Sequence, residues 1–426
     1  MGLKLKALPL RITLLSTALL VLLPAAGLLL FPRRNATGLD RLLSTAALVQ
    51  SFAANTAQAP PPLWRERLGP ARSSQLWASQ RRIWWQFWGA HGDAGAYLVL
   101  QAPAAVPLPP NALRVDDLLV VAPDPLARQL LLDRLKVTRR APRGLERRCS
   151  QELSQREAVL WSAAALGQML GPLSPLVQDL QQGCLQLRSE RQSLLWQGEA
   201  EATPGLLSRQ PSPLNPPQRS PLPPQVLLEL QGRQLALLSR GLLASQVVRE
   251  ALEQRYGLGP SQQRLLTTPP FRLRLRSLPQ GPFQAGLELQ LAVGPKRSAW
   301  QALLSRLRKG LLDQGLMEQA VDRPAEAVIW SRDDGTVVGG WRWLPGQQVL
   351  LFLGPSPTQV PASRSLEQAD WSLNLRPRAM AAAGLLPENL PLLARRAAQL
   401  QLVGRSAGGR SGERQSAVAG RLDLNP

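Results

Sequence analysis

From Ile12 to Phe31 the chain carries no charge, with Lys4, Lys6 and Arg11 before the run and Arg33 and Arg34 after it. About twenty helical residues rise roughly 30 Å, the thickness of a bilayer's hydrocarbon core. The pattern predicts a membrane-spanning helix over 12–31. Two other readings compete: a cleaved signal peptide, given the small residues Ala25, Ala26 and Gly27, and a helix buried in a soluble core. The slight excess of positive charge ahead of the run puts the N-terminus in the cytoplasm and the body on the far side.

Beyond the run the rhythm becomes that of a mixed fold. Short apolar and aromatic runs bounded by Gly, Asp and Pro read as strands. Examples are "IWWQFW" at 83–88, "VLLELQG" at 226–232, "FRLRLRSL" at 271–278 and "GLELQLAVG" at 286–294. In the first of these, Trp84 and Trp88 fall on one face and Ile83, Trp85 and Phe87 on the other, the mark of a covered central strand. "GDAG" at 92–95 and "RDDGT" at 332–336 read as hairpin turns. Helical spacing is expected at Leu126–Lys136, Ala163–Gln182, Leu243–Tyr256, Ser298–Leu312 and Arg378–Gln399, more vaguely at Gln359–Gln368, and in the stretch Leu39–Gln80. The prolines of Thr203–Pro224 favour extended chain and mark a spacer.

The string "ERQS" occurs at Glu190–Ser193 and at Glu413–Ser416. Four shared letters arise by chance in a chain of this composition, so the surroundings must decide. "LQL" precedes both copies, at 185–187 and 400–402; further back stand Trp161-Ser162 and Trp371-Ser372. "FWGAHGDAGAYLVL" likewise resembles "IWSRDDGTVVGGWRWL". These landmarks predict two copies of one module, 83–204 and 327–426. The expected fold class is therefore α+β: an N-terminal transmembrane helix, then two related modules of mostly antiparallel sheet with helices packed on one face. The expected divisions are an anchor (1–34), a first module (35–204), the Pro-rich linker (205–224) and a second module (225–426, repeat core 327–426).

Composition adds a partner class. The chain has 426 residues, room for two domains, and a formal net charge of +21 from 50 Lys and Arg against 29 Asp and Glu. Such a balance suits an anionic lipid or polymer; scattered solvated arginines are the blander account. Two local concentrations stand out. "KVTRRAPRGLERR" brings Lys136, Arg139, Arg140, Arg143, Arg147 and Arg148 together in an expected loop, opposed mainly by Glu146. "FRLRLRSL" aligns Arg272, Arg274 and Arg276 on one strand face. Either surface suits phosphates or headgroups, and a solvated sheet face is the alternative.

Catalytic sets are scarce. "GRSAG" at 404–408 fits a nucleophile elbow around Ser406, but no histidine follows it, since His91 is the sole one in the chain. The acidic turn "SRDDGT" lacks the spaced carboxylates of a cation loop. No phosphate loop or dinucleotide fingerprint is present. Cys149 and Cys184 are too few for a zinc site with cysteine spacing; they form either one bridge outside the cytoplasm or two buried thiols. No metal or cofactor is expected, and nucleic acid is not the expected partner.

The anchor, the strand rhythm and the composition resemble those of uncharacterised bacterial single-pass envelope proteins, a domain of unknown function. The resemblance covers the body loosely and carries no site residue. It implies a membrane-anchored, non-enzymatic envelope protein that binds a protein partner, or an anionic lipid or polymer through the basic surfaces.

Overall fold

A computed structural model describes residues 36, 38–90, 95–137, 141–165, 180–201, 211–278, 283–319, 326–357, 366, 369–386, 392–407 and 415–425. The apolar run 12–31 lies outside them. Among the described residues no helix is long and apolar enough to cross a membrane.

The body is mixed α+β around one large antiparallel sheet. Its first half supplies β1 (Ala46–Ala53), β2 (Ile83–Gly89), β3 (Tyr97–Gln101), β4 (Ala112–Val115), β5 (Leu118–Val121), β6 (Ala158–Trp161), β7 (Gln182–Glu190) and β8 (Ser193–Glu201). The second supplies β9 (Val226–Gly232), β10 (Phe271–Ser277), β11 (Ala285–Ala292), β12 (Met317–Gln319), β13 (Ala327–Ser331), β14 (Val337–Leu344), β15 (Gln348–Leu353), β16 (Trp371–Leu375), β17 (Gln399–Ala407) and β18 (Gln415–Asp423). Pairings run β4-β5-β3-β2-β1-β6-β7-β8 in the first half and β18-β17-β16-β9-β10-β11-β15-β14-β13-β12 in the second. The halves join where β8 pairs β18 in unbroken register from Ser193↔Asp423 to Glu201↔Gln415.

In the first half both faces of the sheet are apolar, so both are covered. Trp84, Leu98, Leu119 and Val121 pack under α2 (Pro62–Leu68) and α3 (Pro70–Ala78), which bring Trp64 and Trp77. Trp85, Phe87, Tyr97, Val99 and Val120, on alternate positions, pack under α1 (Leu39–Leu43), α4 (Pro125–Val137) and α5 (Gly144–Gln155). A disulfide between Cys149 of α5 and Cys184 of β7 fixes this second layer to the sheet. Helices on one face were expected; here they lie on two, because every second residue of β2 and β3 is apolar in both phases.

The second half has one apolar face. Phe271, Leu291, Trp341, Trp343 and Val349 pack under α9 (Arg297–Leu312), which supplies Trp300, Leu303 and Leu304. Leu237, Leu238, Leu252, Tyr256 and Leu265, from α6 (Ala236–Ala244), α7 (Gln246–Tyr256) and α8 (Pro260–Leu265), complete that core. The opposite face is mostly polar, with Leu350 and Phe352 buried beside Gln290 and Glu288.

Several expected elements change. The stretch 39–80 contains a strand, β1, as well as helices. The segment expected to be helical over 378–399 is interrupted: α10 (Pro377–Ala382) ends at Gly384 with a positive φ of 67°, α11 (Leu392–Arg396) follows, and Gln399 already opens β17. The helix expected at 163–182 falls mainly outside the described residues, and Gln182 begins β7. Most of the vague helix 359–368 also lies outside. The Pro-rich stretch is more than a spacer. Leu214 packs on Ala417 and Ala419, and the Ser220 carbonyl accepts hydrogen bonds from Asn374, Gln399 and Gln401. It crosses the sheet as a strap.

The sequence landmarks do not fall on matching strand positions. Arg191 and Gln192 form the turn between β7 and β8, whereas Ser416 is a strand residue paired with Ser406. Trp161 ends β6 beside Gly183, two residues before "LQL"; Trp371 opens β16 beside Gly404, two residues after it. The β13–β14 hairpin lies towards the far edge of the sheet, while β2–β3 lies within it.

Candidate functional site

The polar face of the second half is built from strand alternation. β10 turns Phe271, Leu273 and Leu275 to the core and Arg272, Arg274 and Arg276 to the other side. The neighbouring strands place Glu229 (β9) and Glu288 (β11) on both flanks of Arg274. Arg274 donates from Nε to Glu229 at 2.6 Å, Arg272 lies 3.9 Å from the same carboxylate, and Arg276 pairs with Glu288. Arg272 is 4% exposed and Arg274 7%. The row expected to meet an anionic partner is therefore internal and matched by carboxylates of this chain. Burying guanidinium groups without such partners costs several kcal/mol each, which accounts for the two glutamates opposite them.

Around this ladder the face is lined with amides. Gln231 donates to Ser372 at 2.9 Å, Gln290 bonds Gln348 across β11 and β15, and Gln399 bonds Asn374 at 2.8 Å. Two clefts open here. One, of about 180 Å³, lies over Gln231, Arg272, Gln290 and Gln348. The other, of about 270 Å³, lies between the strap and α10, lined by Arg219, Leu222, Arg376, Arg378, Ala398 and Gln399.

The other basic surface is only partly open. Arg139 and Arg140 lie outside the described residues. The segment is not one loop, because α4 runs to Val137 and α5 begins at Gly144. Arg148 is bound to Glu199 through Nε at 2.6 Å and Nη2 at 2.8 Å. Arg143 and Arg147 are exposed and make no ion pair among the described residues. The structure thus divides the eight candidate arginines: two lie outside the described residues, Arg148 is bound to Glu199, Arg272, Arg274 and Arg276 are set against Glu229 and Glu288, and Arg143 and Arg147 face water.

Ser406 sits inside β17, paired with Ser416, and its amide donates to Asp370 at 2.8 Å. A strand interior is not the strand-to-helix turn that a nucleophile elbow requires. Asp334 holds the "RDDGT" turn: its carboxylate accepts from the Thr336 amide at 2.8 Å, which keeps its pKa below the ordinary value. Among the described residues no group of three or more His, Cys, Asp or Glu is placed to hold a metal.

Two features escaped the sequence reading. Glu229 and Glu288 stand at the polar phase of "VLLELQG" and "GLELQLA", the same alternation that exposed the arginines of β10, and this signal would have revealed a neutralised ladder. Arg219, Arg376 and Arg378 are spread over the linker and a helix start, and no local pattern unites them. No known protein-family model, curated protein or solved structure matches this chain.

Proposed function

We propose that this is a membrane-anchored, non-enzymatic envelope protein, held by residues 12–31, whose body of two related α+β modules rests on the bilayer and engages a partner outside the cytoplasm. The observation that carries the reading is where the chain enters the body. Gly38 and α1 follow the apolar run by a few residues, a reach of at most about 25 Å from Phe31. Arg41 of α1 donates to the Leu135 carbonyl of α4 at 3.2 Å, and Asp40 accepts from Ser150 of α5 at 2.5 Å. Beside this entry α4 presents Leu126 (69% exposed), Leu130 (39%) and Val137 (86%) along one stripe. Arg143 and Arg147 are exposed at the start of α5, the next helix along the chain, and the Asp133 carboxylate within the stripe is paired with Lys136 at 2.9 Å. An apolar stripe followed by exposed arginines suits the headgroup boundary of an anionic leaflet. The Cys149–Cys184 bridge fits an oxidising compartment.

A common origin for the halves is supported by their connectivity rather than by the short strings. Outward from the seam, β8-β7-β6-β1-β2-β3-β5-β4 corresponds to β18-β17-β16-β9-β10-β11-β15-β14, with α9, β12 and β13 inserted in the second half. The seam itself is nearly symmetric: Ser193 donates to Asp423 at 2.5 Å at one end and Gln415 to Glu201 at 3.5 Å at the other.

The test uses the full chain reconstituted in phosphatidylglycerol–phosphatidylcholine vesicles, with an environment-sensitive label on Leu130→Cys and, as control, on Leu393→Cys. The label at 130 should move to an apolar environment and be quenched by a lipid-phase quencher; that at 393 should stay in water. A chain that is freely soluble with its N-terminus intact would sink the anchor. An inserted chain with a wet label at 130 would sink the resting face. The alternative, direct binding of anionic lipid or polymer through Arg143 and Arg147, predicts an attachment that weakens with salt.

A further inference from the structure

We infer that the 270 Å³ cleft between the strap and α10 is a binding site for a phosphate-bearing ligand. Three arginines from separate stretches line it: Arg219 of the strap, Arg376 at the end of β16 and Arg378 in the first turn of α10. Their guanidinium groups are poorly neutralised. Arg376 donates to the Pro224 carbonyl, a neutral acceptor. Arg219 lies 3.9 Å from Oδ2 of Asp423, beyond hydrogen-bond distance, and donates to the Asn425 carbonyl at 3.4 Å; the other oxygen of that carboxylate takes Arg421 at 2.8 Å and Ser193 at 2.5 Å. Arg378 is exposed and makes no side-chain hydrogen bond or ion pair among the described residues.

The contrast with β10 is informative. A short distance away on the same sheet, three arginines are matched by Glu229 and Glu288. At the cleft the same residue type converges with one shared carboxylate, so the charge is left for something else. A single carboxylate ligand would leave most of it unmatched. A phosphate carries about −1.5 to −2 and three acceptor oxygens, which suits a guanidinium cluster with bidentate forks. The remaining wall is apolar: Pro221, Leu222, Pro224, Ala379 and Ala398. It admits either free phosphate at the polar end or a phosphate headgroup whose first acyl carbons lie on Leu222. This assignment does not depend on how the chain meets the membrane.

The detergent-solubilised full chain is titrated by calorimetry with inorganic phosphate and, separately, with dihexanoyl phosphatidic acid below its micelle concentration. Dihexanoyl phosphatidylcholine serves as the blank. Saturable binding of inorganic phosphate points to a soluble source; binding confined to phosphatidic acid points to a lipid headgroup, and either supports the site. Arg378→Glu should weaken the interaction at least tenfold, with unchanged near-ultraviolet circular dichroism, because no partner of that side chain is lost. Arg255→Glu, an exposed arginine on α7, should leave it within about twofold. No saturable binding of either probe, or equal weakening by the two variants, overturns the assignment.

Discussion

The indole of Trp371 lies against Gly404 of the adjacent strand so closely that a Cβ on Gly404 would fall 2.2 Å from Cε2. The same relation holds between Trp161 and Gly183, and across the seam between Trp196 and Gly420, at 2.2 and 2.4 Å. Real Cβ atoms do not approach other heavy atoms to this distance, so a methyl must displace a ring packed in the sheet. Gly404→Ala and Gly420→Ala should each destabilise by about 2–3 kcal/mol, as measured by urea unfolding. Gly286→Ala is the control, since its Cβ would meet nothing nearer than 3.5 Å, and should stay within roughly 1 kcal/mol.

Glu229 sits under two buried arginines, and its removal leaves their charge without its nearest counter-ion. Glu229→Ala should destabilise by about 3–5 kcal/mol. The double variant Glu229→Leu with Arg274→Leu should recover most of that loss, because the pair is then replaced by apolar volume. A double-mutant cycle in urea reads the difference directly. Equal losses in the single and double variants would mean that the ladder is not a coupled unit.

The bridge between Cys149 and Cys184 closes a loop with a sequence separation of 35. Cys184→Ala should lower stability by about 3–4 kcal/mol in the loop-entropy account. The two sulfurs are joined and buried, so in the native wild-type protein neither should react with maleimide. After denaturation both should react if, and only if, a reductant has been added.

Much of the strand set was legible because β9, β10 and β11 alternate cleanly. Which face of β10 is covered was not, since that depends on Glu229 and Glu288, brought alongside by pairing rather than by sequence proximity. α5 was missed because its arginines obscure the helical spacing of Leu145, Cys149 and Leu153, the residues it buries. β1 was absorbed into a helical reading because "AALVQSFA" is short and apolar in a way both structures tolerate. The Trp-Ser and "LQL" strings misled on register, as the glycine beneath each tryptophan, rather than the string that follows, fixes where the strand sits. The arginine cleft was illegible because Arg219, Arg376 and Arg378 come to line one cleft only where the strap crosses the sheet.

Glu201 supplies the last prediction. It ends β8 at the seam and is buried, accepting hydrogen bonds from Gln182 and Gln415. Burial raises its pKa above the ordinary 4.5, and the two amides and Arg148 offset part of that rise while Glu199 adds to it. A raised carboxyl pKa means that the folded chain holds this proton at pH values where the unfolded chain has lost it. Ionisation of Glu201 therefore opposes folding above the folded-state pKa, and the opposition is gone below 4.5. Glu201→Gln removes the charge and keeps the shape; Gln182 can rotate its amide to meet the new donor. The variant should melt above the wild-type temperature at pH 7, and the gap should close as pH falls towards 4.5. Other carboxylates titrate in both proteins and cancel in the difference. Melting curves whose separation stays constant from pH 7 to pH 4 would refute the raised pKa.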